Sequence, residues 1–125
     1  MPNLERSRIG QIAIVCNDVA RASAFYRDTL GLRHLFDAGP NLSFFDCGGV
    51  RLMLSTAERP EHAHASSILY FFVSGIEDTH RELSAKGVQF IDAPHLIARM
   101  PDHELWLAAF TDTEGNTMAI MEEKR

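Results

Sequence analysis

The six histidines are where chemistry would start, because imidazole is the side chain best suited to acid–base work and metal binding near neutral pH. His103 stands between Asp102 and Glu104, with His95 a little earlier in the same stretch. A carboxylate beside an imidazole is the arrangement of a general acid–base pair, and two such histidines offer the beginning of a metal site. His95, His103 and Asp102 are therefore the candidate catalytic residues, although the sequence supplies no third partner. His62 and His64 are spaced i, i+2 without another donor nearby and read as solvated; His34 and His80 read as packed or surface residues. Cys16 and Cys47 are far apart and in no C-x-x-C arrangement, so they read as half-buried thiols, not a disulfide or zinc framework. Ser43, Ser55 and Ser66 lack a G-x-S-x-G context, and no glycine-rich phosphate loop precedes a helix.

A chain of 125 residues, 46% hydrophobic and 23% charged, has the proportions of one globular domain with a real core. Its net charge of −5 speaks against a nucleic-acid partner, which would need a basic stripe. The polar, mixed-charge start (Met1-Pro2-Asn3-Leu4-Glu5-Arg6) lacks the apolar run of a secretory signal, and no later run is long enough to span a bilayer. The expectation is a cytoplasmic protein with no membrane partner.

Elements that would position these residues follow from periodicity. Ile9–Val15 is β-branched and apolar and predicts a strand. Asn17 and Asp18 are good N-caps for a helix over Val19–Leu30, where Val19, Ala22, Phe25, Tyr26 and Leu30 form one apolar stripe closed by Gly31. Strands follow at 32–36, 42–45 and 50–54, the last two joined at Asp46-Cys47-Gly48-Gly49; residues 55–65 read as a linker. The pattern then begins again: a strand at 67–73, a helix at 76–86 ended by Gly87, a strand at 88–91, and strands at 105–111 and 116–121 around Asp112-Thr113-Glu114-Gly115. Val15 pairs with Val73 in this repeat, and the two hairpin turns correspond. Residues 92–103 form a longer connection in the second half, either a binding loop or lid, or a surface insertion.

The run Asp18-x6-Phe25-Tyr26-x3-Leu30-Gly31-Leu32 and the ending Asp112-Thr113-Glu114-Gly115-Asn116-x3-Ile120 resemble the signatures of the vicinal oxygen chelate (glyoxalase/bleomycin-resistance) superfamily. The likeness covers residues 8–123. It implies an α+β fold: two tandem βαβββ modules (about 8–56 and 67–123, linker about 57–66) in a single domain, with curved antiparallel or mixed sheets forming a cleft. It further implies an eight-stranded arrangement and a homodimer in which modules pair across the interface.

In metal-dependent members of that superfamily four cleft positions carry His, Glu or Gln. Carried over by motif distance they fall on Gln11, Met53, Ile68 and Ala119. Only Gln11 offers a donor suited to a hard or borderline divalent ion; a thioether is soft, and the other two are hydrocarbon. The resemblance therefore implies no metal at the usual site, and no other cofactor is expected. Strand alternation places Ala13, Tyr70, Phe72 and Met121 on the same face, with Phe44, Trp106 and Phe110 as further candidates and Met100 in the long connection. The ligand-binding candidates are thus Gln11, Met53, Ile68, Tyr70, Met100, Trp106, Ala119 and Met121, either a small-molecule pocket or plain core. Three functions stay open: a metal-free protein that sequesters or senses a small organic molecule; a lyase, isomerase or dioxygenase using a non-standard metal site or the loop histidines; and a structural module with a filled cleft.

Overall fold

The computed structural model describes residues 4–56 and 66–125; His62, His64 and most of the expected linker lie outside the described residues. Module one runs β1 (Gln11–Val15), α1 (Val19–Ala24), β2 (Arg33–Asp37), β3 (Leu42–Cys47) and β4 (Val50–Ser55). Its sheet has the order β1-β4-β3-β2, with β1 parallel to β4 and the other pairs antiparallel. Module two runs β5 (Leu69–Phe72), α2 (Ile76–Ala85), β6 (Gln89–Phe90), β7 (His95–Arg99), β8 (Glu104–Thr111) and β9 (Thr117–Lys124). Its sheet has the order β5-β9-β8-β6, with β5 parallel to β9 and β7 also on β8. The α+β architecture of two tandem modules with mixed sheets is as the sequence implied.

Several local expectations are corrected. The first helix extends from Val19 only through Ala24 in α form and continues through Phe25–Thr29 as a π-helical turn, in which the Leu30 amide donates to the Phe25 carbonyl. The β3–β4 hairpin closes more tightly than expected. Asp46 and Cys47 belong to β3, and the turn is Gly48-Gly49, whose φ values of 60° and 91° admit glycine with least strain. The strand expected at 88–91 shrinks to Gln89–Phe90.

The larger correction concerns residues 92–103, which are not a lid. Their centre, β7, pairs with the first half of β8 while β6 pairs with its end, so together they take the edge that β2 takes in module one. Among the described residues the chain therefore has nine strands, not eight. Pro94 and Pro101 bracket an edge strand, the place in a sheet where proline is tolerated. A register shift between Leu96 and Ala98 further broke the alternation that would have revealed it.

Strand ladders fix the repeat. The Cys16 amide donates to the Ser55 carbonyl and the Val73 amide to the Met121 carbonyl. Cys16 thus corresponds to Val73, and Val15 to Phe72, one residue from the expected match. On this register Gln11 corresponds to Ile68 and Met53 to Ala119, the equivalence the motif distances implied.

Each sheet packs its own helix on one face, and the two covered faces merge into one core. Ile14, Tyr26, Phe45, Leu52 and Leu54 from module one meet Ile76, Ala108, Phe110, Met118 and Ile120 from module two. Burying each large side chain contributes about 1.5–3 kcal/mol. The polar seam between the modules is built on the Asp112 turn. Asp112 Oδ1 accepts from the Glu114 and Asn116 amides (both 2.8 Å), while Oδ2 accepts from the Tyr26 hydroxyl at 2.8 Å and the Asn116 side chain at 3.0 Å.

Glu114, whose side chain is 1% exposed, accepts from the Asn17 and Asp18 amides at the start of α1 and pairs with Arg21. Burial alone would raise its pKa, but the Arg21 guanidinium and those amides together hold the carboxyl below its ordinary value of 4.5. A depressed carboxyl stabilises the fold above its ordinary pKa, and that stabilisation is lost as pH falls through the folded value. Glu114→Gln is expected to lose about 1–2 kcal/mol at pH 7. Urea melts between pH 7 and 3 should show a shallower acid-side decline in the variant than in the wild type; parallel declines would remove Glu114 from this role.

Candidate functional site

The sheet faces opposite the helices are open. Because side chains alternate along a strand, the ladder register assigns this face residue by residue. In module one a central row crosses Phe36, Phe44, Met53 and Ala13; beside it lie Asp46, Arg51 and Gln11. In module two the rows are Tyr70, Ala119 and Ala109, then Phe72, Met121, Leu107 and His95. Phe36, Tyr70 and Phe72 are 46%, 52% and 69% exposed, with Ile68 at 48% just before β5. Aromatic carbon this exposed on a sheet face is the kind of patch that marks a binding surface.

Of the sequence candidates, Gln11, Met53, Tyr70 and Met121 share this open face, with Ile68 at its edge. Ala119 lies on it but is 1% exposed, so neighbours cover it. Trp106 is corrected: its register partners Leu96 and Glu122 place it on the face turned toward the core. Its indole N–H donates to Glu104 (3.1 Å) and its ring carries the Lys124 ammonium at 4.2 Å. Phe110 is likewise a core residue. Met100 follows β7 and is exposed at the β7–β8 turn.

The polar groups of the module-one face are organised. Arg51 Nε donates to Gln11 Oε1 at 2.7 Å, and the Gln11 amide approaches Met53 Sδ at 3.7 Å. The Arg51 guanidinium lies 5.3 Å from the Phe44 ring centroid, and Phe44 is stacked on Phe36 at 4.6 Å. Sequence reasoning missed Arg51 and Phe36. Arg51 had a legible signal, since it stands two residues before Met53 and hence on the same face.

A divalent ion does not fit the four positions. Gln11 and Met53 are adjacent, but the Gln11 oxygen, the one suitable donor atom, is already committed to Arg51. Ile68 and Ala119 bring no donor. Nor, among the described residues, does any group of three or more His, Cys, Asp or Glu side chains stand close enough together to hold a metal.

The catalytic candidates separate. Asp102 and His103 are in contact, Oδ1 to Nδ1 at 2.7 Å, and His103 Nε2 faces Glu123 at 3.7 Å. Arg125 binds both carboxylates, at 2.7 Å and 3.1 Å; its guanidinium and then His103 hold Asp102 below the usual carboxylate range. His95 sits at the opposite end of β7, its Nδ1 against the Ala93 carbonyl at 2.8 Å. Cys16 is buried, and desolvation, with Glu114 and Asp112 nearby, pushes its thiol up to about 12; burial also raises Cys47. A cavity of about 270 Å³ between the modules, lined by Leu30, Leu32, Cys47, Phe71, Leu83 and Phe110, falls just under the range for drug-sized ligands.

No helix among the described residues is long and apolar enough to cross a membrane. The uncharacterized protein YraH of Bacillus subtilis (strain 168) is 26% identical over 126 residues, spanning 88% of this chain and 94% of its own. Lactoylglutathione lyase from Agrobacterium tumefaciens shares the fold with a TM-score of 0.74 at 23% identity, over 94% of this chain and 95% of that one. A Sphaerobacter thermophilus member of the glyoxalase/bleomycin resistance protein/dioxygenase superfamily gives a TM-score of 0.76, also at 23% identity, over 94% and 98%. A family model matches residues 8–120, nearly the whole chain. With its paired modules and the two motifs that join them, this chain belongs to the Glyoxalase/Bleomycin resistance protein/Dioxygenase superfamily.

Proposed function

We propose that the chain is a metal-free small-molecule-binding protein whose open sheet faces become the walls of a cleft when two copies pair. The observation that carries this reading is the open face itself. It exposes Phe36, Tyr70 and Phe72 around a fixed Arg51–Gln11 pair, and the four superfamily metal positions hold Gln, Met, Ile and Ala. Apolar walls with a few fixed polar groups are the usual make-up of a small-molecule site, and methionine adapts to irregular ligands. Pairing of copies supplies the second wall, which one chain with its faces exposed does not.

Metal analysis of untagged protein before and after chelation, read together with the melting temperature, tests the proposal. The expected result is no stoichiometric metal and no stabilisation by Ni, Zn, Mn or Fe(II). Substituted benzenes and naphthalenes are expected to raise the melting temperature, in the rank order of their affinities. One tightly held ion per pair of modules, with stabilisation on rebinding, would overturn it. The contact between Asp102 and His103 favours the enzymatic alternative, acid–base chemistry of the lyase or isomerase type. Against it, Arg125 and Glu123 already engage both groups.

A further inference from the structure

We infer that Arg51 is the charged anchor of the cleft, and that its ligand is an organic carboxylate, or a similarly delocalised anion, with an apolar or aromatic body. This rests on the cleft reading and names the ligand class for that site. The guanidinium stands where metal-dependent relatives would begin their coordination sphere: its Nε donates to Gln11 at one of the four positions, and Gln11 touches Met53 at a second.

Three observations make Arg51 a recognition group and not simply a surface charge. Its orientation is fixed at two points, by the Gln11 oxygen at 2.7 Å and by the Phe44 ring at 5.3 Å, so little rotamer freedom remains to be lost on binding. Among the described residues its charge is not neutralised: no carboxylate there lies within ion-pair distance, although Asp46 is its cross-strand partner. Its Nε bonds instead to Gln11 on β1. Finally, its surroundings are aromatic. Phe36 and Phe44 stack at 4.6 Å beside it, with Met53 in the same row, so an aromatic body and a carboxylate would be met together.

The chemistry follows from the fork geometry. With Nε engaged, the terminal N–H groups of a guanidinium can meet both oxygens of a carboxylate, and such charge-assisted pairs gain strength on an apolar, partly desolvated face. A positive centre held by a neutral amide also explains what Gln11 does here. It orients the arginine without cancelling its charge, which Glu at the same position would do.

The test is a set of matched pairs, benzoate with benzamide, 1-naphthoate with 1-naphthamide and hexanoate with hexanamide, titrated calorimetrically into the full chain at pH 7. Wild type is expected to prefer the carboxylate in the aromatic pairs, with Arg51→Gln reducing that affinity on the order of 10- to 100-fold and reducing amide affinity far less, so that the preference collapses. Arg51→Lys should recover part of the loss, since it keeps the charge without the fork. Arg51 is exposed, so a retained melting temperature would show that both variants fold. Amides that bind as well as their carboxylates would overturn this inference and leave the cleft reading standing. A carboxylate preference that survives Arg51→Gln would also overturn it, by placing the anion elsewhere. If no member of the set binds, both readings fall.

Discussion

Asp112→Ala is expected to destabilise the chain by about 3–5 kcal/mol, a large fraction of the 5–15 kcal/mol that holds a typical domain together. Asp112 is 7% exposed and accepts four hydrogen bonds, three from its own turn and one from Tyr26 across the module boundary. Alanine removes every acceptor and leaves the Tyr26 hydroxyl, on a residue 0% exposed, with only the Met118 sulfur at 3.4 Å. An unsatisfied buried donor loses its hydration without recompense. Thermal melts should show a drop of about 10–20 °C. Tyr26→Phe removes one bond and one buried hydroxyl together, so it should lose only about 1–2 kcal/mol. The double variant should then fall short of the sum, because the phenylalanine leaves Asp112→Ala no tyrosine hydroxyl to orphan. A loss below about 1 kcal/mol for Asp112→Ala, or strict additivity, would show that the seam is not held this way.

The second large effect concerns assembly. If two copies pair as proposed, Phe36→Asp with Tyr70→Asp is expected to convert that pair to single chains while leaving the melting temperature of the fold nearly unchanged. Both side chains are about half exposed in the isolated chain, so neither contributes much to the core. In a symmetric pair each substitution acts twice. Four lost apolar contacts at about 1.5–3 kcal/mol each, with charges placed against apolar surface, should weaken association by about three orders of magnitude or more. Light scattering across a concentration series would read the change, and ligand stabilisation should disappear with it. A double variant that still pairs, or a wild-type chain that is single at high concentration, would remove the two-copy cleft.

What could be read from the residues, and what could not, divides along sequence distance. Asp18, the Phe25-Tyr26 pair and Gly87 announced their helices because capping and periodicity act within one or two turns. Gln11, Met53, Ile68 and Ala119 could be placed because strand alternation and motif distance are both local. The face of Trp106 could not, since it depends on which residue of β9 lies opposite. The strand β7 was hidden because five residues with a register shift carry too little alternation to outweigh two prolines. Tyr26 read as a packing residue on a helix; its bond to Asp112 joins residues far apart in sequence and leaves no trace in either neighbourhood. That the four carried-over positions hold Gln, Met, Ile and Ala is legible without the fold, because it concerns only the donor atoms each side chain offers. Arg51 needed the sheet, because its meaning comes from Gln11 on one neighbouring strand and Phe44 on the other.

The Asp112 turn has an evolutionary consequence. Two copies of one module suggest halves that once stood alone, yet in this chain the π-helical turn after α1 carries a hydroxyl whose partners, Asp112 and Met118, lie in the second half. The second half, in turn, lends Glu114 to cap a helix that is not its own. A polypeptide divided between the modules would leave the Tyr26 hydroxyl and the Glu114 carboxylate without the partners they have here. Recombination of one half would therefore need a partner that preserves both the tyrosine and the turn.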